Sequence, residues 1–394
     1  MSERLQLWQL RARQAAPLSL KIQLTKSRIR AWVDRFGEDG VYISFSGGKD
    51  STVLLTIARD MYPNIPAVFS DTGLEYPEIR EFVKTFGSVE WLKPSMTFKE
   101  VLKRHGYPFI GKEVSERVYY AQRYLTWWKE RNSIIRPTDR PTDRPPSAYC
   151  VNRFIGISQD AEIPEEIKNE ILSDYVDSGG KGTVKIAQLL GKQKWNGKVS
   201  QYDFKRWGFL ATCPYKIGAG CCSVMKKGPM KKYAKKTGRV PITAQMAEES
   251  RLRTEKWLQN GCNAYNLKNP ISNPMSFWTE QDVLLFIRNN NLKIASVYGE
   301  IIKKKEIPGQ MDLDDFGIDM GLPLLTTTGA KRTGCMFCGY GAHLEKPGEG
   351  RFERMKITHP KQYEWIMKPT EQGGLGYKAV IDWINEHGGT DIRY

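Results

Sequence analysis

Two sets of residues in this chain have types and spacings that can do chemistry. The first is Ser46-Gly47-Gly48-Lys49-Asp50-Ser51, which interrupts an apolar run at "VYISF" and precedes the helix-like "STVLLTIARDMY". Two glycines let a backbone curl close to an anion without interference from Cβ. A turn that feeds a helix N-terminus also offers unpaired amides and the positive end of the helix dipole. Ser46 and Ser51 add hydroxyls, Lys49 adds charge and Asp50 adds a carboxylate that can orient a metal or a serine. The pattern is not Gly-x-x-x-x-Gly-Lys-Ser/Thr, because the four-residue spacer is missing. The second set is sulfur: Cys221-Cys222 and Cys335-Met-Phe-Cys338 make a tandem pair and a C-x-x-C. Four thiolates can hold zinc or a [4Fe–4S] cluster. Adjacent cysteines suit a zinc tetrahedron poorly, whereas a cubane with separated irons tolerates them. Cys213, eight residues before Cys221, is an alternative fourth ligand, and Cys150 and Cys262 read as ordinary thiols. Seven cysteines is an odd count and argues against a disulfide framework.

These residues need elements to position them. Strands are expected at 41–45, 67–73 and 89–94, and helices at 51–62 and 77–87, the latter opening with proline. Strand, helix, strand, helix, strand implies right-handed crossovers and a parallel sheet. A helix over 18–36 puts Ile22, Ile29, Trp32, Val33 and Phe36 on one face. Further helices are expected at 226–236, 247–259, 279–290 and 376–386. The repeat "RPTDRPTDRPP" (136–146) blocks regular hydrogen bonding and reads as a loop. The expected organisation is an N-terminal helix and the start of a nucleotide-binding domain (1–135), a proline-rich insertion (136–210), the rest of the catalytic domain with the cysteines (211–345) and a helical extension (346–394). The last two make a C-terminal α-rich, cysteine-containing region.

The 394 residues carry a net charge of +16. That field favours acidic partners. Lys216, Lys226, Lys227, Lys231, Lys232, Lys235, Lys236 and Arg239 contribute to it within a stretch that has no acid. Tyr119, Tyr120, Tyr124, Trp127 and Trp128 alternate with Arg117, Arg123, Lys129 and Arg131, either as part of a core or as a surface on which bases could stack. No run of ~18 apolar residues is present, so no membrane span is expected. The N-terminus lacks the apolar core of a secretory signal, and a cytoplasmic protein is expected.

Ser46–Ser51 reproduces the Ser-Gly-Gly-x-Asp-Ser loop and so resembles the PP-loop of the ATP pyrophosphatase superfamily. The resemblance implies a doubly wound α/β domain with an adenine nucleotide at the carboxyl ends of the strands. It also implies that Asp71, Thr72 and Gly73, which close the second strand, lie beside that nucleotide. Further along, "CCSVMKKGPMKKY", "PITAQMAEESRLR" and "NPISNPMSFWTEQDVLLFIRNNNL" resemble the sulfonucleotide (PAPS/APS) reductase family. Cys221, Cys222, Lys226, Lys227, Pro229, Glu249, Ser250, Arg253, Trp278, Thr279, Asp282, Val283, Cys335 and Cys338 match its pattern. The resemblance implies a [4Fe–4S] cluster on Cys221, Cys222, Cys335 and Cys338. Arg251 and Arg253 are candidates for phosphate or sulfate, since arginine forks suit such oxygens. Salt bridges to Glu248 and Glu249 are the alternative use for them.

Two departures from that family shape the expected activity. No cysteine follows Cys338, where the reductases carry their nucleophile. The loop is intact at Asp50 and Ser51, which suits ATP with Mg²⁺ and release of pyrophosphate. The expectation is therefore adenylylation coupled to sulfur transfer, with DNA or tRNA among the candidate acceptors and a sulfur-donor protein as a candidate partner. The alternatives are a sulfonucleotide reductase proper and a non-catalytic nucleotide- or DNA-binding regulator.

Overall fold

A computed structural model describes residues 4–133, 204–304 and 324–394; of 124–133 and 205 it describes the backbone alone. The repeat at 136–146, Cys150 and the side chains of Tyr124, Trp127, Trp128, Lys129 and Arg131 lie outside the described residues. The chain divides into two units, each built from two stretches: Met1–Ser95 with Lys226–Cys335, and Met96–Met225 with Met336–Tyr394.

In chain order the first unit opens with α1 (Leu7–Gln14), α2 (Leu18–Phe36), β1 (Val41–Ser44), α3 (Lys49–Met61), β2 (Ala67–Ser70), α4 (Pro77–Lys84) and β3 (Val89–Leu92). The second unit supplies α5 (Phe98–His105), β4 (Phe109–Ile110), α6 (Lys112–Ser133) and a 3₁₀ helix at Lys205–Thr212. A π-helical turn spans Ser223–Lys227. The first unit resumes with α7 (Gly228–Thr237), β5 (Val240–Ile242), α8 (Arg251–Asn260), β6 (Asn263–Ala264), β7 (Ile271–Ser272), α9 (Glu280–Asn289), β8 (Ile301–Lys303) and β9 (Leu325–Thr327). The second unit closes with β10 (Gly339–Tyr340), α10 (Arg351–Thr358), α11 (Pro360–Met367) and α12 (Tyr377–Gly388).

The first unit is α/β. Its six-stranded sheet runs β3-β2-β1-β5-β7-β6, parallel except for the β6–β7 pair. β1 is central and buried on both faces, so its sequence is apolar without alternation. Val41, Ile43 and Phe45 join Val53, Leu54, Ile57 and Ala58 of α3 in the main core. On the opposite face Tyr42 packs edge-on against Tyr233 of α7, with ring centroids 5.1 Å apart. The chain leaves β1 toward β2 on one side and returns to β5 on the other. That reversal opens a crevice at the carboxyl ends of the strands, where open parallel sheets hold ligands.

Element boundaries moved for local reasons. α3 starts at Lys49, two residues before its expected start, because Gly48 already serves as N-cap. β2 stops at Ser70, since Asp71 turns to meet Arg80 of α4 (Nη2 to Oδ2, 3.0 Å). The helix expected at 247–259 is a 3₁₀ turn at Ala247–Glu249 followed by α8, with Ser250 between them as N-cap. The inward face of α2 includes Ile29, Trp32 and Val33 as expected, with Ile22 and Phe36 at its margin. It also includes two polar residues, Lys21 and Thr25. Lys21 Nζ donates to Asp282 Oδ2 at 2.6 Å and to the Gln14 carbonyl at 2.6 Å. Thr25 Oγ1 accepts from Trp278 Nε1 at 2.9 Å.

In the second unit β4 and β10 pair in parallel. An aromatic cluster surrounds Tyr377, whose ring centroid is 5.2 Å from Phe109 and 5.5 Å from Tyr107. Its hydroxyl donates to the Phe337 carbonyl at 2.6 Å. Tyr119 and Tyr120 are half-buried, and Arg123 lies over the Tyr119 ring at 5.6 Å. Among the described residues no helix is long and apolar enough to cross a membrane.

Candidate functional site

The crevice is a real cleft of about 410 Å³ in the first unit, and it contains most of the loop singled out from the sequence. Ser44 and Ser46 line it from the end of β1, Gly48, Lys49, Asp50 and Ser51 from the start of α3, and Thr243–Met246 from the end of β5. Glycine is required at 47: its φ of +70° is left-handed, and a Cβ there would sit 2.6 Å from Val83 Cγ2 and 2.8 Å from Ile79 Cγ2 of α4. Gly47 thus lets the turn lie flat on α4, although it does not itself line the cleft.

The loop is held together by its own serines. Ser46 N donates to Ser51 Oγ at 3.2 Å, the two hydroxyls are 3.0 Å apart, and Gly48 N donates to Ser46 Oγ at 3.3 Å. The Lys49 amide donates to Tyr298 Oη at 3.2 Å, and that hydroxyl is 2.5 Å from Thr333 Oγ1. Burial pushes the Tyr298 hydroxyl up to about 12, so it stays protonated. The Lys49 ammonium is buried and engaged: it donates to Glu280 Oε1 at 2.8 Å and to the Lys331 carbonyl at 2.7 Å, and lies 5.6 Å from the centroid of the Tyr298 ring. Its charge, expected to neutralise phosphate, thus sits in the cleft lining beside the 331–333 wall.

Asp50 is the strained member. Its Oδ1 is buried without a hydrogen-bond partner among the described residues. Burial raises its pKa from 3.8 to about 6; the nearby Lys49 charge opposes the rise, and Glu249 and Glu280 add to it. Glu248 is raised too, again mainly by burial. The cleft therefore balances Asp50, Glu248, Glu249 and Glu280 against Lys49, Lys226, Arg253 and Arg332. A triphosphate entering it would need an accompanying cation, and the orphaned Asp50 oxygen is a suitable ligand for one.

Several expected site residues lie elsewhere. Asp71 is buried and its Oδ1 is 3.0 Å from Arg80 Nε, while Thr72 donates through N and Oγ1 to the Glu75 carboxylate. Neither they nor Gly73 line the cleft. Arg251 points outward and pairs with Glu255 at 3.0 Å. Arg253 does line the cleft, paired with Glu249, while Ser250 Oγ accepts from the Arg253 amide. The Glu-Ser-x-x-Arg pattern is thus a capped helix start that delivers one arginine to the site. Tyr298, Thr333 and Arg332 are not signalled by the sequence, and Glu248 and Glu280, though inside segments of family resemblance, carry no expected place in the cleft. Tyr298 is a lone aromatic some 250 residues from the loop it contacts.

Six cysteines are described, and none forms a disulfide. Cys221, Cys222 and Cys338 lie near enough to Tyr340 that their charge, after burial, raises its hydroxyl pKa. Tyr340 Oη donates to the Gly218 carbonyl at 3.2 Å. Cys335 is the last residue of the first unit. Among the described residues no three His, Cys, Asp or Glu side chains converge as a single metal ion would require. Cys213 is buried and its thiol is pushed up to about 12, which suits a neutral core residue. Cys262 is also buried, its sulfur accepting from Ser276 Oγ at 3.3 Å.

Residues 40–129 match the model of the phosphoadenosine phosphosulfate reductase domain. Over 69 residues the chain is 38% identical to an uncharacterized protein of Methanocaldococcus jannaschii, covering 16% of this chain and only 17% of that protein's length. A phosphoadenylyl-sulfate reductase from Candida auris, solved with phosphate, superposes with a TM-score of 0.32 at 12% identity over 69% of this chain and 82% of that one.

Proposed function

We propose that this chain, whose residues 40–129 match the model of the phosphoadenosine phosphosulfate reductase domain, is an enzyme that binds ATP in the cleft and couples adenylylation to sulfur transfer. The observation that supports this most directly is the placement of Ser46, Gly48, Asp50 and Ser51 together at the mouth of β1 and the start of α3. The serine hydroxyls and the first amides of α3 would take phosphate oxygens. Asp50, with an oxygen that lacks a hydrogen-bond partner among the described residues, would hold Mg²⁺ against the triphosphate. Lys49 would soften the phosphate charge from its seat beside Glu280.

An acceptor oxygen would attack the α-phosphorus. A new P–O bond forms, the bond to the bridging oxygen breaks, and pyrophosphate leaves with the electron pair. A sulfur nucleophile from a donor protein or thiol would then displace AMP from the acceptor. Cys221, Cys222, Cys335 and Cys338 would hold a [4Fe–4S] cluster, which supplies iron to bind sulfur or to carry an electron. DNA or tRNA is a candidate acceptor: Lys231, Lys232, Lys235 and Lys236 are all exposed on α7, next to Lys226 in the cleft lining.

The test is pyrophosphate release by anaerobically purified protein, with ATP and with DNA, tRNA or small acids as acceptors. Release that needs an acceptor and is lost in Asp50→Ala supports the reading. The second reading, favoured by the family domain itself, is a sulfonucleotide reductase. Sulfite release from APS or PAPS with a thiol donor, and no pyrophosphate release from ATP, would replace the first reading with the second.

A further inference from the structure

Arg332 sits between two residues that are both tied to Lys49. The Lys331 carbonyl accepts from Lys49 Nζ at 2.7 Å, and Thr333 Oγ1 reaches the Lys49 amide through the Tyr298 hydroxyl at 2.5 Å and 3.2 Å. The backbone just upstream is pinned to the same neighbours. Gly329 N donates to the Tyr298 carbonyl at 2.9 Å, and Ala330 N donates to the Val297 carbonyl at 2.9 Å. The tether leaves little room to move: Gly329 Cα is so close to Val297 and Tyr298 that a Cβ there would lie 2.4 Å from the Val297 carbonyl oxygen.

On this fixed backbone the Arg332 side chain is exposed and lines the cleft. It forms no hydrogen bond or ion pair with any described residue, in contrast to Lys49 and Arg253, which are paired with Glu280 and Glu249. Its charge is felt at Asp50 and at Glu248, where it lowers both carboxyl pKa values against the effect of burial. The backbone that presents Arg332 is held on both sides, so on binding only the rotamers of its own side chain, which has no partner among the described residues, remain to be ordered. Its planar fork fits two oxygens of one phosphoryl group.

We propose that Arg332 is an oxyanion clamp carried on a fixed backbone. It would grip a phosphoryl group of the ligand that the 46–51 loop leaves uncovered, and the Lys49–Tyr298–Thr333 chain would couple its position to that loop. This deepens the reading of the cleft as a nucleotide site and rests on it. Tyr298 and Thr333 are positioning residues in this scheme, because they act through the backbone that presents Arg332.

The test is calorimetric titration of the full-length protein with Mg²⁺–ATP and, separately, with inorganic pyrophosphate, for wild type and for Arg332→Gln, Arg332→Lys and Thr333→Val. A lost bidentate charged contact corresponds to about ten-fold or more in affinity. Arg332→Gln is expected to weaken both ligands by at least that factor with an unchanged melting temperature, since the side chain is exposed. Arg332→Lys should recover part of the loss, and Thr333→Val should weaken binding by a smaller factor without touching the guanidinium. Wild-type affinity for both ligands in Arg332→Gln overturns the clamp while leaving the nucleotide reading intact. Arginine-dependent binding of pyrophosphate with no binding of ATP sinks the nucleotide reading and keeps the clamp. Failure of the wild type to bind either ligand removes both.

Discussion

Replacing Asp50 by asparagine should stabilise the protein and silence it. The carboxyl is pushed from 3.8 to about 6, chiefly by burial. At about 1.4 kcal/mol for each factor of ten, holding Asp50 ionised in the folded chain costs about 3 kcal/mol. The sign follows from proton counts. Between pH 3.8 and about 6 the folded chain retains a proton on Asp50 that the unfolded chain has released, so stability falls as pH rises through that window. The penalty is absent below the window and complete above it. Asparagine keeps the shape and never ionises. Asp50→Asn should therefore exceed wild type by about 3 kcal/mol at pH 8, and the gap should close as pH approaches 4. Urea unfolding followed by tryptophan fluorescence reads this directly, since Trp32, Trp257 and Trp278 are buried in the first unit. The same variant should lose pyrophosphate release, a trade of function against stability that is common where a site holds a strained group. An asparagine variant no more stable than wild type at pH 8, or a gap that stays constant from pH 8 to pH 5, would refute the argument that burial of this carboxylate is the source of strain.

Three other perturbations have definite outcomes. Gly47→Ala must adopt a left-handed φ and drive a methyl into Val83 and Ile79; the two effects together should cost about 2–4 kcal/mol in urea unfolding. Lys21→Met leaves Asp282 buried with, among the described residues, its Thr279 donors alone. It should destabilise by about 3 kcal/mol, and adding Asp282→Asn should recover part of that loss. Cys221→Ser or Cys338→Ser should lower iron and acid-labile sulfide in anaerobically purified protein, whereas Cys213→Ser should not. Equal iron in all three variants would remove the cysteine assignment.

Local chemistry made much of the first unit legible. The apolar run at 41–45, the glycine pair and the proline at 77 each act over a few residues, so β1, the turn and α4 follow from neighbours in sequence. The intact Asp50 and Ser51 are likewise a local pattern, and they do line a cleft. The surroundings of Asp71 were not legible, because a carboxylate at a strand end can face a ligand or a neighbouring helix, and here it meets Arg80 of α4. The partners of Lys49 were equally out of reach of the sequence: its charge is local, but Glu280 and the Lys331 carbonyl that hold it come from far along the chain.

The sequence by itself determined what depends on short spacing: the parallel strand-helix alternation, the glycine-softened turn and the inventory of thiols. Tertiary structure decided what depends on which distant groups meet. It brought Tyr298, Glu280 and the 331–333 segment to the loop, gave Asp50 its raised pKa and drew Lys49 inward. The physical reason is that backbone conformation is set within a few residues, whereas burial and charge are sums over everything that packs nearby. No spacing along the chain encodes that sum.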